Sequence, residues 1–131
     1  AHGLEADEAL GRTGGPRPEA GYLLSRGLLR DDQPTARFVG NNVLTMGVLD
    51  AVQELGLRIP EDLALVTFDD PPWTRLVAPP LTAVRQPTFD IGRQAADLLM
   101  ARIAEPDRQP ETVTLQTELV VRSSCGAPLR A

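Results

Sequence analysis

The sequence contains very little cysteine, histidine and lysine, and these shortages exclude several classes of protein. Its 131 residues include one cysteine, Cys125, one histidine and no lysine, so all 13 basic residues are arginine. A single cysteine forms no internal disulfide bond and excludes the cysteine-rich metal motifs. No apolar run approaches the ~18 residues that a membrane-spanning helix requires. We therefore expect a chain that folds around a hydrophobic core, without a disulfide, a structural metal or a membrane segment.

The chain is acidic and lacks the common catalytic motifs. Its formal net charge is −5 at pH 7, whereas binding to nucleic-acid phosphates needs a basic face, so we do not expect these residues to contact DNA. The sequence has no nucleophile elbow, no glycine-rich phosphate loop and no metal-ligand spacing. Asp69 and Asp70 are neighbours, and neighbouring strand residues point to opposite faces, so they do not form a catalytic pair. We predict no enzyme activity and no cofactor.

Apolar residues recur with helical and strand periods in alternation along the chain. Helices are predicted where they recur at three- and four-residue spacing, and strands where they are continuous or alternate. The predicted helices are residues 16–30, 43–55, 73–77 and 88–104, and the predicted strands are residues 35–40, 63–68, 81–84 and 113–121. This order predicts an α/β fold that has a mostly parallel sheet with helices on both faces.

Several of these segments carry more specific expectations. Strand 63–68 is nearly all apolar, which is typical of a strand that is covered on both faces. Helix 88–104 has an apolar face, and Thr88 is a candidate for its N-cap. Strand 113–121 alternates apolar and polar residues, which indicates that one side faces solvent. Residues 123–131 are expected to form a frayed tail.

Polar side chains follow three of the predicted strands. Asn41, Asp69 and Gln86 come directly after strands that we expect to be parallel. The carboxyl ends of parallel strands line one edge of a sheet, where ligands bind, so these three side chains could converge. Their mixture of donors and acceptors suits a polyhydroxylated or heterocyclic small molecule. The alternative is that Asn and Asp at these positions form turns and cap the next helix.

The middle of the chain carries short motifs in a characteristic order. They are an Asn pair followed by a helix with Gly47, the turn Gly56-Leu57-Arg58-Ile59-Pro60, Phe68-Asp69-Asp70, Pro79-Pro80-Leu81-Thr82, and Arg85-Gln86. These motifs resemble the LacI family of bacterial transcription regulators. The resemblance extends over roughly residues 16–124.

Four positions depart from the family pattern. Asn42 replaces the usual Asp, Thr45 the usual Ala, Thr67 the usual Gly, and Ala83 the second Thr of the hinge motif. These changes leave the predicted fold intact and indicate a divergent member. They leave the ligand chemistry near Asn42 open.

The resemblance implies a periplasmic-binding-protein-like (type I) sensor domain of two lobes, of which this chain would be a part. Residues 1–84 would belong to the C-terminal lobe, whose first strands would be missing. Residues 85–111 would cross the hinge and contribute a helix to the N-terminal lobe. Residues 112–131 would return to the C-terminal lobe as a strand and a tail.

The resemblance also implies a function and a set of site residues. The domain would bind a small-molecule effector, expected to be a sugar, and would change the operator affinity of an upstream helix-turn-helix domain in a cytoplasmic regulator. The implied ligand-binding residues are Asn41, Asp69, Gln86 and Thr88, the last at a position where some members carry an aromatic residue. The implied homodimer interface contains Met46, Leu49, Asp50 and Val77, although Met46 and Leu49 could instead belong to the core.

Two other functions share this fold. A secreted sugar-binding protein of a transporter would carry a signal peptide upstream, where the regulator carries a helix-turn-helix domain. An enzyme on a doubly wound fold would turn over its bound ligand, and the missing general-base constellation weighs against it.

Overall fold

The computed structural model of the chain describes residues 7–127, which contain a four-stranded, mostly parallel sheet. The strands are β1 (Ala36–Val39), β2 (Ala64–Phe68), β3 (Thr82–Arg85) and β4 (Glu118–Val120), and they lie in the order β1-β2-β3-β4. The first three strands are parallel, and β4 runs antiparallel to β3. This sheet confirms the predicted fold class.

The described helices fall where the periodicity predicts them. They are α1 (Pro18–Asp31), α2 (Asn42–Glu54) and α3 (Thr88–Ala104), and single 3-10 turns occur at Glu8–Leu10, Pro72–Arg75 and Ser123–Cys125. The predicted short helix at 73–77 is thus a 3-10 turn that begins one residue earlier. Proline within the first turn of α1 is tolerated because its missing N–H would have no partner there.

The core lies between the sheet and the pair formed by α1 and α2. It consists of seven buried aliphatic residues, namely Leu29, Val39, Val48, Val52, Leu63, Leu65 and Leu81. Leu65 and Thr67 of β2 are buried, whereas Ala64, Val66 and Phe68 on its other face are only half-buried. The described residues therefore bury one face of β2 completely and cover the other face by half.

Helices α1 and α2 cross closely because a glycine lies at the crossing on each of them. A Cβ atom added to Gly47 would lie 1.8 Å from the carbonyl oxygen of Pro18, and one added to Gly21 would lie 2.2 Å from that of Leu44. Both distances are far below van der Waals contact. The close approach holds the N-terminal end of α2 against α1, and the first turn of α2 carries residues of the site described below.

The C-terminal third of the chain departs from two expectations, and its helix α3 is exposed. Thr88 is the first residue of α3 and provides no side-chain cap, because Pro87 occupies the N-cap position. Only residues 118–120 of the predicted strand 113–121 pair with the sheet, since β3 offers a register partner to just these residues. No residue of α3 is buried, and Phe89 and Ile103 expose 82% and 65% of their area.

The predicted frayed tail is wrong for its first residues. Ser124 is fully buried, and its hydroxyl accepts a hydrogen bond from the Thr82 N–H at 2.8 Å and donates one to the carbonyl of Leu65 at 2.6 Å. Ser124 thereby joins two strands. The last four residues of that predicted tail, like residues 1–6 of the predicted C-terminal lobe, lie outside the described residues.

No helix within residues 7–127 has both the length and the hydropathy that crossing a membrane would need.

The helix crossing predicts opposite effects for two glycine-to-alanine substitutions. Gly47→Ala would force the α1–α2 pair apart, and we expect it to lower the free energy of unfolding of the full-length protein by about 3 kcal/mol. Gly27→Ala is the matched control, because nothing lies within 4 Å of its added Cβ. Since alanine favours helix, Gly27→Ala should raise stability by about 0.5–1 kcal/mol. Urea denaturation measures the free energy of unfolding of both variants. Equal changes in the two variants would contradict the close crossing.

Candidate functional site

At the carboxyl ends of the parallel strands, the side-chain amides of Asn42 and Gln86 meet the carboxylate of Asp69. The amide of Asn42 donates to Asp69 Oδ2 at 3.0 Å, and the amide of Gln86 donates to Asp69 Oδ1 at 2.5 Å. Asn42 begins α2, Asp69 follows β2 and Gln86 follows β3. The predicted convergence of Asp69 and Gln86 is thus observed, and Asn42 joins them.

The backbone of Asp69 adopts a left-handed conformation. Its φ angle is +74°, one of two positive values among the described non-glycine residues. Asp tolerates this region better than most residues because its short polar side chain finds local partners. The N–H of Asp69 still donates to the carbonyl of Val84 at 3.0 Å, so the strand ladder is extended by one bond. This turn directs the Asp69 carboxylate towards α2 and Gln86.

Asp70 points the other way and forms the centre of a buried ion cluster. Arg122 donates to its two carboxylate oxygens at 2.8 Å each, and Arg85 donates to Oδ2 through Nε at 3.0 Å and Nη2 at 2.7 Å. The hydroxyl of Thr74 donates at 2.5 Å. The Asp70 side chain is 4% exposed. As predicted, the two neighbouring carboxylates do not share a site.

The pKa of Asp70 lies well below its usual range. Its largest cause is hydrogen bonding from Arg122, and hydrogen bonds from Thr74 and Arg85 add to it, while burial acts in the opposite direction. Donors to the charged form stabilise that form, which explains the direction. The Asp70 carboxylate is therefore ionised at neutral pH.

An open cavity of about 490 Å³ lies over these strand ends. Its lining includes Asn42, Asp69, Gln86 and Thr88, together with Asp70, Arg85 and two prolines, Pro71 and Pro72. Thr88 is exposed on this lining, and no side-chain hydrogen bond of Thr88 occurs in the described part of the chain. Two of the four predicted ligand-binding residues thus contact each other, and a third shares their cavity.

Asn41 has a different place from the one its sequence position suggests. Its side-chain oxygen accepts hydrogen bonds from the N–H groups of Val43 at 2.7 Å and Leu44 at 3.3 Å, so Asn41 is the N-cap of α2. This is the alternative that the sequence left open, and its side chain is not among those around Asp69. Sequence reasoning did not choose Asn42, although its departure from the family pattern was a signal.

The four residues of the predicted dimer interface lie on or beside one face of α2. Met46 is 48% exposed, and Asp50, one helical turn further, is also exposed. Leu49 and Val77 are half-buried and pack against the core, and both line a groove of about 560 Å³ together with Leu57 and Ile59. The alternative of a core position therefore holds in part for Leu49, whereas Met46 faces outward.

Within the described residues, no group of three or more His, Cys, Asp or Glu side chains could hold a metal ion.

Comparison with known proteins identifies the kind of domain. The family described as "Periplasmic binding protein-like domain" matches residues 1–125. The repressor PurR of Mannheimia succiniciproducens is 39% identical over 108 residues, which are 82% of this chain and 32% of that protein. The chain thus spans about a third of the length of the curated relatives it matches.

Solved structures agree with this assignment. The complex of the transcriptional regulator CelR with cellobiose aligns with a TM-score of 0.86 at 36% identity, over 93% of this chain and 38% of that one. A LacI family regulator from Enterococcus faecium with bound ribose aligns with a TM-score of 0.75 at 32% identity, over 87% of this chain and 42% of that one.

The fold and the polar strand ends define part of a periplasmic-binding-protein-like ligand-binding domain. Its relatives are transcriptional repressors and regulators. The chain belongs to the LacI family of transcription regulators, as part of the sensor domain.

The ion cluster predicts a pH-dependent contribution of Asp70 to stability. Asp70→Asn leaves the partly buried Arg122 and the exposed Arg85 without their carboxylate, and we expect it to lower the free energy of unfolding by about 3 kcal/mol at pH 7. Because the pKa of Asp70 is depressed in the folded state, the unfolded state takes up its proton first as the pH falls. The difference in free energy of unfolding between wild type and Asp70→Asn should be complete above about pH 4 and should shrink below it.

Urea denaturation of the full-length protein between pH 7 and pH 3 measures this difference. Asp107→Asn, at an exposed turn residue, controls for the general loss of charge and should show no such difference at either end of the range. A wild-type advantage that stays constant down to pH 3 would contradict the proposed role of the Asp70 carboxylate.

Proposed function

We propose that the chain is the effector-binding and dimerising part of a LacI-type transcription regulator. It would bind a small molecule, a sugar in our proposal, between two lobes. The observation that carries this proposal is the cluster of Asn42, Asp69 and Gln86 at the carboxyl ends of the parallel strands, the edge at which open α/β sheets bind ligands. Thr88 on the lining of the same cavity adds a further proposed contact, whereas Asn41 supports the site by capping α2, the helix that begins with Asn42.

A sugar suits the chemistry of this edge. The carboxylate of Asp69 accepts hydrogen bonds, and the two amides offer acceptor oxygens and donor hydrogens in turn. Hydroxyl groups both donate and accept, so a polyol satisfies such a mixed set. Two structural relatives carry cellobiose and ribose, which supports this ligand class.

The exposure of one helix supports the proposed division into lobes. Residues 1–84 and 112–131 form the C-terminal lobe of the proposal, and residues 85–111 cross the hinge and give α3 to the N-terminal lobe. No residue of α3 is buried within the described chain, and its Leu99, Met100 and Ile103 are exposed. An apolar helix face of this size favours a covering partner. The rest of the N-terminal lobe is that partner in our proposal.

Operator DNA would be bound by a helix-turn-helix domain upstream, in the cytoplasm, and not by these residues. The net charge of −5 supports this division of labour. The effector would act by binding one arrangement of the lobes more tightly than the other, and the difference in binding free energy would shift operator affinity.

Asp69 should be essential for effector binding. Asp69→Asn removes the charge but keeps a residue that tolerates the left-handed backbone, and we expect at least about tenfold weaker binding because a hydrogen bond to a charged group contributes about 1.5–3 kcal/mol. Calorimetric titration of the full-length protein with ribose and with cellobiose measures the affinity. Asp107→Asn is the control, and an unchanged titration of Asp69→Asn would refute the site.

The dimer interface of the proposal contains Met46, Leu49, Asp50 and Val77. Met46 is exposed beside a groove that Leu49 and Val77 line, and a symmetric pairing of such faces forms a two-fold dimer. An apolar side chain at the centre of an interface loses its contacts, and gains a desolvation penalty, when a charge replaces it.

Met46→Glu should therefore weaken dimerisation by at least about tenfold, which is about 1.4 kcal/mol. Sedimentation of the full-length protein over a concentration series measures the dimer dissociation constant. Leu23→Glu is the matched control, because Leu23 is exposed on α1 and lies outside the proposed interface. Equal dissociation constants for the two variants would move the interface elsewhere.

A further inference from the structure

The carboxylate of Asp69 is held by uncharged groups alone. Both of its oxygens accept from amides, Oδ2 from Asn42 and Oδ1 from Gln86. None of the ion pairs formed by the described residues includes Asp69. Hydrogen bonds from neutral amides stabilise a carboxylate without cancelling its charge. Asp69 therefore presents a net negative charge to the cavity.

The neighbouring charges do not compensate for Asp69. Arg122 directs both of its terminal nitrogens to Asp70, and Arg85 is divided between Asp70 and Glu118. The lining of the cavity contains the carboxylates of Asp69 and Asp70 and the guanidinium of Arg85. Glu118 and Arg122, which pair with these groups from outside the lining, add one charge of each sign. One negative charge remains in excess, and both arginines already have carboxylate partners.

The orientation of the two amides adds acceptors to this edge. A carboxylate only accepts hydrogen bonds, so the nitrogen of each amide must face Asp69 and its oxygen must point away. In the described part of the chain, no hydrogen bond reaches the side-chain oxygens of Asn42 and Gln86. Those two oxygens and the remaining lone pairs of Asp69 form a group of acceptors, beside which the second hydrogen of each amide and the hydroxyl of Thr88 can donate.

Asn42 determines this charge. Its amide nitrogen lies 3.0 Å from Asp69 Oδ2, and a carboxylate in its place would put two like charges at that distance. Two carboxylates so close cannot both ionise without a proton or a cation between them. The choice of Asn at position 42 keeps the site at one negative charge.

We propose that Asn42 is a specificity-determining residue of the effector site, and that the effector presents an uncharged or cationic hydrogen-bond donor to Asp69 and not a phosphate or carboxylate. This inference rests on the proposed function, because it concerns the chemistry of the same site. The inference concerns the charge of the effector and the role of Asn42, which the family pattern did not assign.

The first test is a set of matched ligands on the full-length protein. Ribose, cellobiose and glucosamine are each compared with an anionic counterpart, namely ribose 5-phosphate, cellobionic acid and glucosamine 6-phosphate, by thermal shift and then by calorimetry. We expect at least one of the first three compounds to bind. Its anionic counterpart should bind at least about tenfold more weakly. A preferred anionic compound would overturn the inference and leave the effector site intact. Absence of binding by all six would count against the proposed sugar site and so overturn both.

The second test separates specificity from structure. Asn42→Asp should weaken binding of the neutral sugar by at least about tenfold and make that affinity depend on pH below 7, whereas the wild-type affinity should be flat there. A negative charge in the first turn favours the helix dipole of α2, so a merely structural Asn42 predicts no loss of affinity. Gln53→Glu adds the same charge to the exposed side of α2, about 16 Å further along the helix, and should leave the affinity unchanged. Equal affinities of Asn42→Asp and wild type would refute the role of Asn42.

Discussion

The buried ion cluster of Asp70 is the constraint on which the site depends. Asp70 receives Arg85 from β3 and Arg122 from the segment that follows β4, so three segments far apart in sequence end at one carboxylate. Arg122 also donates to the carbonyl of Leu81 at 2.6 Å. With only 4% of its side chain exposed, Asp70 depends above all on Arg122, which binds both of its oxygens, because a buried carboxylate without a cationic partner is strongly destabilising. The cluster therefore fixes where β2 ends.

The fixed end of β2 positions the carboxylate of Asp69 in the proposed effector site. Asp69 directly precedes Asp70, and its φ of +74° turns its side chain to the opposite side. A left-handed conformation costs free energy in a residue other than glycine, and it persists where the surroundings hold it. Asp70 holds one side of this turn, and the bond from the Asp69 N–H to Val84 holds the other. Asp70, which holds the ion cluster, and Asp69, which belongs to the proposed effector site, are thus neighbours with separate roles.

Sequence reasoning predicts the parts of this fold in which local pattern and burial coincide. The helical period over α2 and the apolar run of β2 predict both elements, because their apolar faces are buried within this chain. The same reasoning overextends the strand at 113–121, because alternation describes a strand's faces and not whether a partner strand is present. It also misses Ser124, whose hydrogen bonds to Thr82 and Leu65 connect residues 42 and 59 positions apart.

The candidate site shows the same division between topology and local geometry. Parallel strands predict that residues after β2 and β3 meet at one edge, and Asp69 and Gln86 do so. Asn41 and Asn42 are consecutive residues, and their side chains have different partners. The N-cap residue turns its side chain back to the helix N–H groups, and the next residue is then free to face the cavity. Spacing in sequence does not carry that distinction. The sequence pattern therefore indicates the capping residue Asn41 as the ligand contact, and not Asn42, which contacts Asp69.

Two departures from the family pattern act together behind this site. Thr45 replaces an alanine and Thr67 replaces a glycine, and their hydroxyls lie 2.6 Å apart in a position where both side chains are fully buried. The Thr45 hydroxyl also bonds to the carbonyl of Asn41 at 2.8 Å. Each hydroxyl alone would be a buried polar group in need of a partner, whereas the pair satisfies both. Because the pair joins the first turn of α2 to the end of β2, it fixes the separation of Asn42 from Asp69. The residue that sets the charge of the site and the pair that fixes its position therefore depart from the family pattern together.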